Sequence, residues 1–218
     1  MGIETDTQEP VAKVQRAYQA GREGFVIFYD GFGRVAIGEI SLGNDARLQD
    51  ELNSEGRSHP RNFLKLSDAE FYQIGPKGEY HRTKSTQERG KRTLSTKVKS
   101  MDIIYPLSDF RKDEYADASI SGLYPIRVRI SLNKLKNDIE GEILLHRFFK
   151  DKDQHVQLND IFESRNFVAV INPKHSGLEQ RISQVTRVQI QRPILISTDK
   201  IRNYEILDEN GSETGSAE

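Results

Sequence analysis

The chain has 218 residues, 35% hydrophobic and 30% charged, which suits one large domain or two small ones and is too apolar for disorder by composition. It contains no cysteine, which excludes disulfides, thiolate catalysis and cysteine-ligated zinc or iron–sulfur sites. No apolar run nears the length of a membrane span and no secretory leader is evident, so a soluble cytoplasmic protein is expected, and the net charge of −1 gives no overall attraction to nucleic acid.

Residues 1–9 are polar and expected to be flexible, and residues 10–206 are expected to form a single domain. Pro10 suits a first helical turn, Val11, Val14, Ala17 and Tyr18 share one helical face, and Gly21 offers a left-handed stop. Residues 24–40, GFVIFYDGFGRVAIGEI, hold the densest apolar run. Two β-prone stretches, 25–29 and 35–40, flank Asp30-Gly31-Phe32-Gly33, where glycine supplies positive φ. The pattern predicts a β-hairpin wrapped by the rest of the chain, with Ile27 and Ile37 buried on neighbouring strands. At its tip Phe32 and Arg34 set an aromatic beside a cation, suited to entering a groove or the gap left by an extruded base. The plainer reading is a turn with one exposed aromatic.

Residues 43–61 read as loop with a turn of helix near Leu48 and Leu52. Ser67-Asp68-Ala69-Glu70 matches a capping box with Leu66 and Phe71 at staple positions, which predicts a short helix stopped at Gly75-Pro76. Residues 81–99 then carry seven Lys or Arg against one Glu, a local charge of +6 that leaves −7 for the remainder. Six Ser or Thr and no apolar periodicity predict an exposed basic insertion. Its Arg82, Lys84, Arg89, Lys91, Arg92 and Lys97 are candidate phosphate contacts, since cations release counterions and hydroxyls donate hydrogen bonds. A solvated loop without a partner is the alternative.

Residues 102–107 read as a strand and 109–121 as a mixed loop carrying Phe110 and Tyr115. Tyr124-Pro125 opens the cleanest strand, in which Ile126, Val128, Ile130 and Leu132 alternate with Arg127, Arg129 and Ser131. Arg127 and Arg129 on its polar face could meet phosphates or form local salt bridges. Further strands are expected at 142–149 and 166–171, with a short helix at 158–163 between them. Val188 and Ile190 alternate with Gln189 and Gln191, and Pro193 confines that segment to an edge or a bend. From Glu205 onward there are five acids and no Lys or Arg, and residues 207–218 are expected to be a disordered acidic tail. These elements together predict an α+β fold, a strongly curved mixed β-sheet or small β-barrel with a few short flanking helices.

Val14-Gln15-Arg16-Ala17-Tyr18-Gln19-Ala20, then Phe25-Val26-Ile27-Phe28-Tyr29, a glycine-bearing turn and Val35-Ala36-Ile37-Gly38-Glu39-Ile40 resemble the core of the PUA-like superfamily, nearest its YTH and EVE branches. There a helix precedes a strand ending in Phe and an aromatic, and the next strand carries Gly and then Glu among apolar residues. An aromatic loop leading into an alternating basic strand, here Tyr115 to Tyr124 and then Ile126 to Ile130, is also similar. The resemblance spans residues 11–42 and 110–135. It implies a PUA-like barrel and a non-catalytic reader of DNA or RNA that recognises a modified or extruded base. It also implies a setting in prokaryotic defence or restriction systems, with a nuclease or NTPase as partner subunit.

On that footing Phe110, Tyr115 and Tyr124 are candidate faces of a base pocket, with Asp117, Asp113 and Ser119 reading the base edge. YTH domains cage methylated adenine largely with Trp; this chain has none, which leaves a pocket of Tyr and Phe. The alternative is that these aromatics pack into the core. A second class of function is a metal-dependent nuclease built on Asp138, Glu140 and Glu142 with His146 and Lys150, since such sites need acids to hold Mg²⁺. A third is a protein-interaction domain with no role on nucleic acid. The five His never fall at i,i+4 and no nucleophile elbow, Walker A or dinucleotide motif occurs, so no metal site and no cofactor are expected.

Overall fold

The run Gly24–Tyr29 forms β1 and Arg34–Ile40 forms β2, paired antiparallel with Val26 opposite Ile37 and Phe28 opposite Val35, as the hairpin reading expects. β1 has a second neighbour, β6 (Met101–Pro106), on its other edge. Its side chains alternate between two cores: Val26 and Phe28 enter the larger apolar cluster, while Phe25, Ile27 and Tyr29 enter a smaller one. That is why β1, and β6 from Ile103 onward, read as continuous apolar runs, since a strand covered on both faces has no polar side to show. The structure, a computed structural model, describes residues 24–40, 48–53, 63–83, 92–107, 122–133, 135, 138–146, 153–185 and 193–207. The expected helix at 10–21, the loop at 109–121, the strand at 188–190 and the tail from 208 lie outside the described residues.

The remaining strands are β3 (Phe63–Ile74), β4 (Tyr80–Arg82), β5 (Arg92–Lys97), β7 (Leu123–Leu132), β8 (Ile139–His146), β9 (Phe167–Lys174), β10 (Ile194–Ser197) and β11 (Ile201–Leu207). They form one sheet in the order β11-β7-β8-β9-β10-β6-β1-β2-β3-β4, with β5 also on the β3 edge. Among the described residues every pairing is antiparallel, and the two ends of the order do not pair with each other. This corrects the expected α+β fold: the sheet is neither mixed nor a closed barrel, but a predominantly antiparallel open sheet of eleven strands. Two clusters, one on each face of β1, explain the difference. A central strand buried on both sides gains its cover without the sheet closing on itself.

Inward residues of β7, β8 and β11, among them Val128, Ile130, Ile143 and Ile206, join the larger cluster with Val26 and Phe28. The junction that brings them there is irregular: the β8–β9 register shifts between Glu140 and Glu142, and Asn172 has φ 50°. Gly141 sits at this bulge with no room for a side chain, because a Cβ would lie 2.8 Å from the Ile171 carbonyl oxygen and closer still to Val170. Three short helices complete the described fold, α1 (Leu48–Asn53), α2 (Gln154–Ser164) and α3 (Ser176–Val185). Leu48 and Leu52 bury α1 in the smaller cluster. The Asn53 carboxamide pairs with the Phe167 backbone, donating to its carbonyl at 2.9 Å and accepting from its N–H at 2.8 Å. Asp153 caps α2 through the His155 N–H, and the ring nitrogen Nδ1 of His175 accepts the Leu178 N–H at 2.6 Å to cap α3, a helix that no cap motif in the sequence announces. None of the helices among the described residues is long and apolar enough to cross a membrane.

The expected helix at Ser67-Asp68-Ala69-Glu70 does not form; these residues lie inside β3. The alternation Phe63-Leu64-Lys65-Leu66, exposed and buried in turn, carries the strand into them, and the cap-like residues form a bulge with Asp68 at φ 51°. Gly38 of β2 answers that bulge, its Cα so close that a side chain would meet the Ser67 carbonyl at 3.1 Å. Residues 81–99 are likewise not one flexible insertion, since β4 and β5 both pair with β3 and only residues 84–91 fall outside the described residues. The expected tail at 207–218 overlaps β11 at its first residue, Leu207, which is buried where β11 pairs with β7.

Ile27 is fully buried in one cluster and Ile37 is 5% exposed in the other. Either change to Ala should cost about 2–5 kcal/mol, measured by urea unfolding. An unchanged midpoint for either would contradict the two-core arrangement. Gly141→Ala should cost about 1–3 kcal/mol by overpacking the bulge, and a melting curve matching wild type would mean that β8 and β9 are not this close.

Candidate nucleic-acid interface

In antiparallel strands residues opposite one another share a face. Leu64 stands opposite Thr96 and Leu66 opposite Leu94, and Leu64, Leu66 and Thr96 are buried. Phe63 stands opposite Lys97 and Lys65 opposite Ser95, and these four are exposed. Thr93, exposed two residues before Ser95, continues the same face, and exposed Lys99 follows in the turn after β5. The result is an outward strip bearing one aromatic ring, 54% exposed, with Lys65 and Lys97 as its neighbours and small hydroxyls on the same face. No acidic side chain pairs with Lys65, Lys97 or Lys99 among the described residues.

The arginines behave differently. Arg82 of β4 bonds through Nη2 to Glu70 at 3.0 Å, with the side chains 18% and 7% exposed, and the Tyr72 hydroxyl donates to the same carboxylate at 3.0 Å. Burial first, and then the Glu70 charge, pushes the Tyr72 phenol up from its ordinary value. Arg129 lies between two acids on the outer face of β7, donating to Glu140 at 3.0 and 3.1 Å and to Glu205 at 2.8 Å. Arg127 is exposed and stands opposite Glu142. Among the phosphate candidates, Lys84, Arg89 and Lys91 lie outside the described residues, Arg92 lies in β5 with its side chain outside them, and Lys97 is on the strip.

The hairpin tip is no exposed wedge. Asp30, Gly31 and Phe32 all have positive φ, which turns the Phe32 ring inward to 1% exposure and edge-on to Phe28 at 5.0 Å. The Phe32 carbonyl accepts from the Tyr80 hydroxyl and from Arg181 of α3 at 3.3 Å, and the Arg181 guanidinium lies 5.5 Å over its ring. The Gly31 N–H donates to the Asp102 carboxylate, so the turn's anion-binding concavity is filled by the chain's own acid. Burial raises the Asp102 carboxyl above its usual range, opposed by this bond and by Lys200. Arg34 is exposed and paired with Asp30.

Of the base-pocket candidates, Phe110, Tyr115 and Asp117 lie outside the described residues. Tyr124 is half-buried against the larger cluster, with Gln157 of α2 at 3.5 Å from its hydroxyl. The nuclease candidates are dispersed: Asp138 accepts from Ser131 at 2.7 Å, Glu140 from Arg129, and Glu142 from Asn172 at 3.2 Å. Among the described residues no three His, Asp or Glu are grouped to hold a metal ion. Phe63 and Lys65, which the sequence reading passes over, were signalled by their alternation with Leu64 and Leu66.

Arg82→Ala should therefore act on stability, costing about 3–5 kcal/mol by leaving Glu70 charged and buried. Denaturant unfolding at neutral pH tests this, and a variant as stable as wild type would return Arg82 to the list of surface cations. Set beside known proteins, the chain matches no family model, no curated protein and no solved structure.

Proposed function

We propose that this chain is a non-catalytic nucleic-acid-binding module whose contact surface is the outward strip of β3 and β5. The observation that carries the reading is that Lys65, Lys97 and Lys99 are exposed and have no acid partner among the described residues, in a chain whose net charge is −1. Localised cations of this kind bind phosphates by releasing counterions, and Thr93 and Ser95 add hydrogen-bonding hydroxyls beside them.

The finer reading is recognition of a modified or extruded base in a restriction or defence setting. Its support is the likeness of residues 14–20 and 25–40 to modified-base readers, with Tyr124 as the pocket candidate among the described residues. The reading takes the module as cytoplasmic, where nucleic acid and a nuclease or NTPase partner subunit would be met.

Replacing Lys65, Lys97 and Lys99 together by Ala should weaken binding to both DNA and RNA oligonucleotides. It should also lower the slope of log affinity against log salt by about two to three. Fluorescence anisotropy across a salt series measures both. All three side chains are exposed, so the variant should fold as wild type does. Unchanged affinity and slope would remove the strip from the interface.

A further inference from the structure

Phe63 is 54% exposed, and the only other large apolar side chain so exposed among the described residues is Val156. A ring left in water forgoes the gain from burial, and nothing about the β3–β5 pairing requires an aromatic there. Its setting is specific. Lys97 is directly across on β5, which puts the two Cβ atoms about 5 Å apart, and Lys65 is two residues along the same strand, about 7 Å away. The ring therefore has a lysine as its neighbour in both directions, across the pair and along the strand, with Ser95 and Thr93 on the same face.

We infer that the strip takes single-stranded nucleic acid, with one base stacked on Phe63 and the phosphates on either side held by Lys65 and Lys97; this rests on the reading of the strip as a nucleic-acid interface. The geometry separates the two forms of ligand. In a duplex every base face is already covered by its neighbours, so a ring on the outward face of a strand pair has no π-face to meet and only the lysines find partners. A single strand presents a free base and its flanking phosphates together, which matches a ring with a cationic neighbour across the pair and another along the strand. Stacking tolerates any base, while the small hydroxyls at Ser95 and Thr93 leave room for the base edge and offer it donors and acceptors. Among the described residues the acids near Lys65 by register are Glu39, across the β2–β3 pair from Ser67, and Asp68 at the β3 bulge. They limit the cationic stretch on that side.

The test is an anisotropy titration of the full chain against a labelled mixed-sequence oligonucleotide and against the same oligonucleotide annealed to its complement, at two salt concentrations. Wild type should bind the single strand about tenfold or more tightly than the duplex. Phe63→Ala should lose about 5- to 100-fold on the single strand, with duplex affinity and salt slope unchanged, and Phe63→Tyr should keep the preference. A circular dichroism melt of each variant verifies that it is folded. Equal wild-type affinity for the two forms overturns the single-strand inference and leaves the lysine-dependent reading standing. So does a folded Phe63→Ala that binds the single strand as well as wild type. Absence of binding to either form at low salt overturns both.

Discussion

Successive residues of β1 enter different cores, Val26 and Phe28 one, Phe25, Ile27 and Tyr29 the other, and all five are at most 5% exposed. Each such burial is worth about 1.5–3 kcal/mol, which is large beside a typical net stability of about 5–15 kcal/mol. Covering both faces of this one strand is thus the constraint from which the other elements take their places. α1 and the inner side of β3 cover one face, and β7, β8 and β11, brought round by the bulge at Gly141, share the core on the other. The hairpin turn serves the same end. Its run of left-handed residues points Phe32 into the core, where Phe28 and Arg181 enclose it.

The surface follows from where that cover stops. On β3 the outward face changes character along its length. Near Tyr72 and Glu70 it is buried and its charge is answered by Arg82, whereas at Lys65 and Phe63 it is open. Arg82 and Arg129 are held by acids, whereas Lys65 and Lys97 stand exposed on the strip. The planar guanidinium can serve several acceptor oxygens at once, as Arg129 does for Glu140 and Glu205, while the compact ammonium is better hydrated and remains in water. The functional reading rests on that contrast: Arg82 and Arg129, which look available in the sequence, are already held by acids, while Arg127 stays exposed.

Legibility in the sequence depended on how local the deciding interaction was. The hairpin, β6, β7 and β9 could be read from apolar runs and alternation, because each pattern lies within one strand. The motif at Ser67 to Glu70 misled because its cap and staple positions are satisfied by spacing alone, while the strand it belongs to is decided by pairing with β2 and β5. β11 was partly hidden by the acidic composition that begins at Glu205, although Ile206 and Leu207 find their cover against β7. Arg129 could not be separated from a free cation by sequence, since one of its carboxylates comes from 76 residues away. The open sheet was illegible for the same reason. Closure or its absence is a relation between the first and last strands of the order, which no local pattern encodes.

The carboxamide of Asn53 completes the backbone of Phe167 across 114 residues, and Arg181 reaches the Phe32 carbonyl across 149. β6 likewise waits for β10 to be made before its second edge is paired. A chain whose contacts are this distant in sequence belongs among slow folders, because loop closure must be completed before those contacts form. While the chain emerges from the ribosome, α1 and β3 can cover one apolar face of the β1–β2 hairpin early, but the other stays exposed until β7 and β8 are made and is completed only by β11. This period, rather than the finished fold, is when the protein is most open to association with other copies of itself.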